Sequence, residues 1–449
     1  MMARRQCTRH RLKARLNPRV QTQGSLPARH AREPNQTLWR PQVVVSTEED
    51  PMTITTDTAV RPFTIEIPEA DLADLRARIT ATRWPDKETV NDASQGVQLA
   101  TMQALARYWE TEYDWRKCEA KLNSVPNFIT EIDGLDIHFV HVRSKHEDAL
   151  PVVVCHGWPG SVIEQLKIVD LLTDPTAHGG SASDAFHVVI PNMPGYGFSG
   201  KPTETGWDMA HIGHAWVELM KRLGYRQFVA AGGDWGGILV DVMAAGDAPA
   251  ELIGIHSTFP GVFPAAIEKA IQSHAELPSD LSADERRAVD TLTTAYGYVG
   301  QAEMAWHPQT LFGLADSPVA LAAWLVDHDP ISYASLIAPA FVEGREGGLT
   351  RDDVLDNITM FWLTNTGVSA SRIYWEDPPG AGVRNVTIPV AVSVFPDDVI
   401  YSPRSWAEQA YPNLIHYNEL DKGGHFAAWE VPDLYASELR DGLRSLRKA

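Results

Sequence analysis

Cysteine is nearly missing from this chain of 449 residues: only Cys7, Cys118 and Cys155 occur. Three thiols make no disulfide framework, and their scarcity suits a reducing compartment such as the cytoplasm. No apolar run reaches the roughly 18 residues that would span a bilayer. Positive charge is in deficit, with 39 Lys and Arg against 58 Asp and Glu, a net charge of −19. That balance argues against a nucleic-acid partner and against binding to anionic membrane. No internal repeat is present. What remains is ample apolar material, 44% of the residues. It supports a sizeable core, and one α/β domain with insertions can reach this length.

Residues 1–60 do not look like the rest and read as a leader outside the fold, disordered or non-native. Arg and His are scattered from Arg4 to Arg40, and the first acidic residue is Glu33. A targeting presequence is the competing reading, and Met52 fits a native start.

Residues 61–127 predict a helical arm. Pro62 to Ile67 alternates as a strand would. A helix from Pro68 carries Leu72, Leu75 and Ile79 on one stripe, and a second runs from about Val97 to Glu112. Residues 128–258 then alternate strands and helices. Phe128 to Val142 predicts a hairpin turning at Asp133-Gly134. Pro151 to Cys155, Phe186 to Ile190, Phe228 to Gly233 and Leu252 to His256 predict buried strands. Helices are expected at Ser161 to Leu172 and Met209 to Leu223. Such alternation predicts a mostly parallel sheet flanked by helices, with ligands at the carboxyl ends of the strands. Residues 259–383 lose the strand pattern and predict a helical lid. The sheet resumes within 384–449, at Val386 to Phe395 and Leu414 to Leu420, before a terminal helix from Pro432.

The chemistry converges on Ala231-Gly232-Gly233-Asp234-Trp235-Gly236-Gly237. Strand, tight glycine turn and helix make a nucleophile elbow, which lifts one side chain above the sheet. The apex here is Asp234. A Ser would need a base to remove its proton, whereas a carboxylate is charged at pH 7 and can attack carbon directly. A plain helix cap would explain the same Asp equally well. Two further strand ends shift that balance. Phe395-Pro396-Asp397-Asp398 offers an acid, and Gly423-Gly424-His425-Phe426 offers a base. The order nucleophile, acid, histidine is that of the α/β-hydrolases. After the first core strand, His156-Gly157-Trp158-Pro159-Gly160 can present the Trp158 N–H to an oxyanion; the Trp235 N–H would be the second donor. The His156 side chain itself reads as structural.

Taken together, these stretches resemble the α/β-hydrolase-fold epoxide hydrolases of the microsomal type, with their N-terminal domain. The likeness runs from about Arg61 to the C-terminus. Its marks are Arg83-Trp84-Pro85-Asp86, His156 to Gly160, Pro194-Gly195-Tyr196-Gly197-Phe198-Ser199, Gly233 to Gly236, and Gly423 to Ala428. The resemblance implies roles. Asp234 matches the nucleophile, His425 the base, and Asp398 the acid that orients it. Tyr374 matches one of two lid tyrosines that hydrogen-bond the epoxide oxygen. Tyr298 is the choice for the other, and Tyr296 stays in play because the spacing to Pro308 is about two residues longer than usual. The implied reaction opens an epoxide to a vicinal diol through an Asp-alkyl ester, with no cofactor and no metal. A small apolar epoxide and water are the expected partners, and monomer and homodimer both stay open. The vertebrate relatives' membrane anchor has no counterpart, which implies a soluble protein. The rival readings are a haloalkane dehalogenase with the same Asp nucleophile and a catalytically dead binding module. The lid aromatics Trp306, Trp324, Phe361 and Trp362 fit either a bulky apolar substrate or plain core.

Overall fold

The computed structural model describes residues 58–296, 299–343, 348–377 and 385–447. The leader called over residues 1–60 lies almost wholly outside them, and the described residues belong to one compact unit. Among the described residues nine strands form one sheet: β1 Arg61–Phe63, β2 Asn127–Ile132, β3 Leu135–Val142, β4 Leu150–Cys155, β5 Phe186–Pro191, β6 Phe228–Gly232, β7 Leu252–Ser257, β8 Val390–Val394 and β9 Leu414–Glu419. Their order is β1-β2-β3-β5-β4-β6-β7-β8-β9. The first three strands are antiparallel, and β3 pairs antiparallel with β5. From β5 to β9 every pairing is parallel. The expectation of a mostly parallel sheet therefore holds, with an antiparallel wing at one edge. The hairpin turns where expected, with Asp133 at φ 50° and Gly134 at φ 80°, the two positive φ values that a tight two-residue turn requires.

The central strands are continuous apolar runs because helices cover the parallel part of the sheet. Val152, Val153 and Val154 of β4 are fully buried, as are Val229 and Ala230 of β6. Among the described residues six α-helices precede residue 259: α1 Glu69–Thr80, α2 Leu99–Thr111, α3 Trp115–Asn123, α4 Val162–Thr173, α5 Met209–Arg222 and α6 Trp235–Ala244. Ser161 caps α4 by accepting the Ile163 N–H, and Asp208 caps α5 through the His211 N–H. Helix α4 packs on the terminal helix Pro432–Gly442, and α5 packs on α6.

Two strands are shorter than their sequence pattern. β1 stops at Phe63 because side chains take the next backbone groups. The Ile65 N–H donates to Asn123 and the Ile67 N–H to Glu119, both on α3. β8 starts only at Val390, since Pro389 has no N–H for the ladder. Val386 makes an isolated bridge to Ala245 instead.

Helix Arg351–Leu363 is one of the elements that join residues 61–127 to residues 259–383. Trp109 Nε1 donates to Thr359 at 2.9 Å, the Tyr113 hydroxyl to Asp356 at 2.9 Å, and the Tyr108 hydroxyl to Asp352 at 2.8 Å. The same helix holds the loop after β4. Asn357 Nδ2 donates to the Pro159 carbonyl at 2.8 Å, and Ser161 donates to Asn357 Oδ1 at 2.7 Å. Of the four aromatics singled out in the lid, Phe361 is core, in edge contact with Tyr196, and Trp306 is 76% exposed. Among the described residues no helix is long and apolar enough to cross a membrane.

Candidate active site

Asp234 sits between β6 and α6 with φ 52° and ψ −133°. A non-glycine residue at positive φ stores strain, and such strain is concentrated at working sites. The turn closes only because its neighbours lack side chains. A Cβ on Gly236 would stand 2.2 Å from the Cys155 carbonyl oxygen, and one on Gly157 would stand 2.2 Å from Asp234 Oδ1. The sequence therefore forces the β6 turn against the end of β4, its paired neighbour.

That closeness brings donors to the carboxylate. The Trp158 N–H donates to Asp234 Oδ1 at 2.7 Å. Burial pushes the Asp234 carboxyl up, but the His425 hydrogen bond and charge, the His328 charge and the Trp235 N–H outweigh it and hold it below the usual value. Asp234 is thus an ionised carboxylate facing both backbone donors.

His425 follows β9. Its Nε2 lies 3.5 Å from Asp234 Oδ2, and its Nδ1 lies 2.7 Å from Asp398 Oδ1. The two adjacent acids after β8 part company. Asp398 is buried and accepts the Val399 N–H, whereas Asp397 is exposed. Burial by itself would lower the His425 pKa; the Asp398 charge, the hydrogen bonds to Asp234 and Asp398, and the Asp234 charge together raise it well above its ordinary value. His156 is different. Its Nδ1–H donates to the Gly157 carbonyl and its Nε2 accepts the Met193 N–H, so it fixes the turn; burial pushes its pKa down to about 4.

Tyr374 is buried edge-on between two tryptophans, 4.9 Å from the Trp235 ring and 5.8 Å from the Trp158 ring. Five of the named residues, Asp234, His425, Trp158, Trp235 and Tyr374, therefore meet at one point, with Asp398 behind. Tyr298 lies outside the described residues, and so does the Tyr296 side chain.

Three residues beside the site were not singled out from sequence. His328 and Asp329 come from the helical segment of residues 259–383, and the His328 ring lies 4.6 Å from that of His425. Glu164, on α4, lines a small cavity of about 30 Å³ with Gln165, Asp234, Thr258 and His425. A cavity needs roughly 10–15 Å³ to hold a water, so this one takes one or two. A larger groove of about 810 Å³ is lined by Trp306, Arg372 and Trp375, and neither Asp234 nor His425 reaches it.

The sheet order and the elbow define an α/β-hydrolase fold with an Asp at the nucleophile position. Residues 60–165 match the family described as epoxide hydrolase N terminus, and residues 151–271 match the alpha/beta hydrolase fold. Epoxide hydrolase 1 of Sus scrofa is 33% identical over 409 residues, covering 86% of this chain and 88% of its own. A Stigmatella aurantiaca protein, provisionally named for the same activity, is 50% identical over 395 residues and 86% of each chain. The crystal structure of the juvenile hormone epoxide hydrolase from the silkworm Bombyx mori superposes with a TM-score of 0.76 at 27% identity, over 88% of this chain and 97% of that one. The chain belongs to the epoxide hydrolase family, and its substrates are an epoxide and water.

Proposed function

We propose that the epoxide is opened through a covalent ester on Asp234, with residues 259–383 as the lid over a core of residues 128–258 and 384–449 and residues 61–127 as the supporting arm. Asp234 Oδ2 attacks an epoxide carbon, since Oδ1 is taken by the Trp158 N–H. The C–O bond breaks and its electrons leave on the epoxide oxygen. Tyr374, with Tyr298 or Tyr296 as its partner, donates a proton or hydrogen bond to that oxygen. Without such assistance a strongly basic alkoxide would have to leave.

Ester formation abolishes the Asp234 charge. That removes one of the causes that hold the His425 proton, so the imidazole becomes a better base in the intermediate than in the free enzyme. His425, oriented by Asp398, then takes a proton from a water in the cavity beside Glu164. The hydroxide attacks the Asp234 carbonyl carbon. The Trp158 and Trp235 N–H groups hold the tetrahedral oxyanion, each contributing about 3 kcal/mol. The intermediate collapses as the bond from the carboxyl carbon to the substrate oxygen breaks, that oxygen takes the proton held by His425, and the acid formed on Asp234 returns a proton to the tyrosine, so the diol leaves with Asp234 ionised.

The observation that carries this reading is the position of Asp234, where a nucleophile, two backbone donors and a carboxylate-bound histidine converge. Walls of Trp158, Trp235, Tyr374 and Phe259 support a small apolar epoxide. The buried free thiols Cys118 and Cys155 support a cytoplasmic setting. The test is a single turnover of styrene oxide in heavy-oxygen water. Label should enter Asp234, because water attacks the carboxyl carbon. Label confined to the diol would make Asp234 a general base and overturn the ester. A bromoalkane run alongside should release no bromide, which separates this reading from a haloalkane dehalogenase.

A further inference from the structure

We infer that Asp234, His328 and His425 form a binding site for a zinc-type divalent ion, and that its occupancy switches the enzyme off. One ligand atom from each residue lies within 4.8 Å of the others. His425 Nε2 and Asp234 Oδ2 are already 3.5 Å apart. Ligand atoms on a tetrahedral zinc with bonds of about 2.0–2.1 Å stand roughly 3.3 Å from one another. Closing the cluster on an ion therefore takes side-chain shifts of about 1.5 Å or less.

The groups behind the ligands are a second, independent observation. Metal-bound histidines almost always give their other ring nitrogen to a carboxylate or carbonyl, which sets the tautomer and the ring direction. Both histidines here have that partner. His425 Nδ1 is 2.7 Å from Asp398, and His328 Nδ1 is 2.9 Å from Asp329. Asp398 and Asp329 are both buried. For His425 this turns Nε2 toward Asp234.

Charge points the same way. Three carboxylates, on Asp234, Asp329 and Asp398, surround two imidazoles whose rings are 4.6 Å apart and tilted by 32°. Two imidazoles and one carboxylate suit Zn²⁺, Cu²⁺ or Ni²⁺, whereas Mg²⁺ and Ca²⁺ prefer all-oxygen sites. The ion would hold the oxygen that attacks the epoxide and the nitrogen that activates water. Binding rests on the geometry alone; the loss of turnover rests also on the roles proposed for Asp234 and His425.

Chelator-treated enzyme titrated with Zn²⁺ in a calorimeter should bind one equivalent at this site, and turnover should fall in step and return with chelator. Mg²⁺ should do neither. His328→Phe keeps a ring among Trp158, His425 and Phe426 but removes the ligand, and should weaken binding at least tenfold. In the unaltered enzyme, Co²⁺ should give the intense visible bands of a low-coordinate ion. Zinc binding that is unchanged in His328→Phe, or a Co²⁺ spectrum no stronger than that of the hydrated ion, would overturn the site. One-to-one binding that needs His328 yet spares turnover would support the metal site and count against the roles of Asp234 and His425.

Discussion

The His425 imidazole is held by Asp398, Nδ1 to Oδ1 at 2.7 Å, and that bond turns its Nε2 toward Asp234. In the proposed mechanism the pair works only on the ester. Asp234 is already ionised and needs no base for its own attack. His425→Gln should therefore still alkylate and then stall, because the water has lost its base. Intact-mass measurement after incubation with a reactive epoxide should show one added substrate, on the peptide that carries Asp234. An unmodified variant that has also lost turnover would show that His425 acts in the first half-reaction.

In the proposed mechanism Tyr374 is the acid of that first half-reaction. Phenylalanine keeps both edge-to-face contacts, to Trp158 and Trp235, and removes only the hydroxyl. Losing a positioned proton donor costs about 10²–10⁴ in rate. A second tyrosine shares the task, so the low end of that range is expected for Tyr374→Phe. The alkylation phase of a stopped-flow trace should slow, the hydrolysis phase should not, and the melting temperature should move little. Slowing confined to the hydrolysis phase would remove Tyr374 from the role proposed.

Much of this site was legible in the sequence, for a physical reason. The glycines at 157 and 236 are required by the approach of two strand ends, so the elbow shows itself as a pattern of missing side chains. The apolar runs of β4 to β8 were equally plain, because strands buried on both faces need no alternation. Asp397 and Asp398 could not be told apart without the resemblance, since only the bend after β8 decides which of two neighbours turns inward. His328 was invisible for another reason. It is one of 16 histidines, and its place over His425 is set by how the lid folds back. Glu164 reads as an ordinary residue on an amphipathic helix until the β4 turn closes over it.

Asn357 ties the helix Arg351–Leu363 to the turn after β4, where the proposed oxyanion donor Trp158 lies. Its amide donates to the Pro159 carbonyl and accepts from Ser161, and all three residues are buried. Trp158 is the next residue back along that turn. Asn357→Ala leaves the buried Pro159 carbonyl without that donor and takes from Ser161 its acceptor, although Ser161 keeps the Ile163 N–H; a buried group left unpaired costs about 1–3 kcal/mol. Beyond that loss, the hydrolysis step should slow about tenfold more than alkylation, because the oxyanion forms only there. Equal slowing of both steps, measured in single turnovers, would reduce Asn357 to a structural tie.

Glu164 should be a neutral acid at the pH where most buried carboxyls are avoided. Burial raises its pKa; the His425 charge pulls the value back and the Asp234 charge adds to it, leaving it at about 8. In the unfolded chain a Glu titrates near pH 4.3. Between those values the folded protein holds a proton that the unfolded chain has released. The sign follows: this contribution to stability is complete below about pH 4, declines as pH rises, and is lost above about pH 8. Glu164→Gln keeps the shape of the neutral acid and cannot ionise. Urea unfolding of both proteins from about pH 5 to about pH 8 should show the unaltered enzyme losing stability relative to the variant, with a slope of up to about 1.4 kcal/mol per pH unit. Taking the difference between the two cancels every other titrating group. A difference that stays flat across that range would mean Glu164 is ionised when folded, and the cavity beside Asp234 and His425 would then hold a second carboxylate rather than a hydrogen-bond donor for the attacking water.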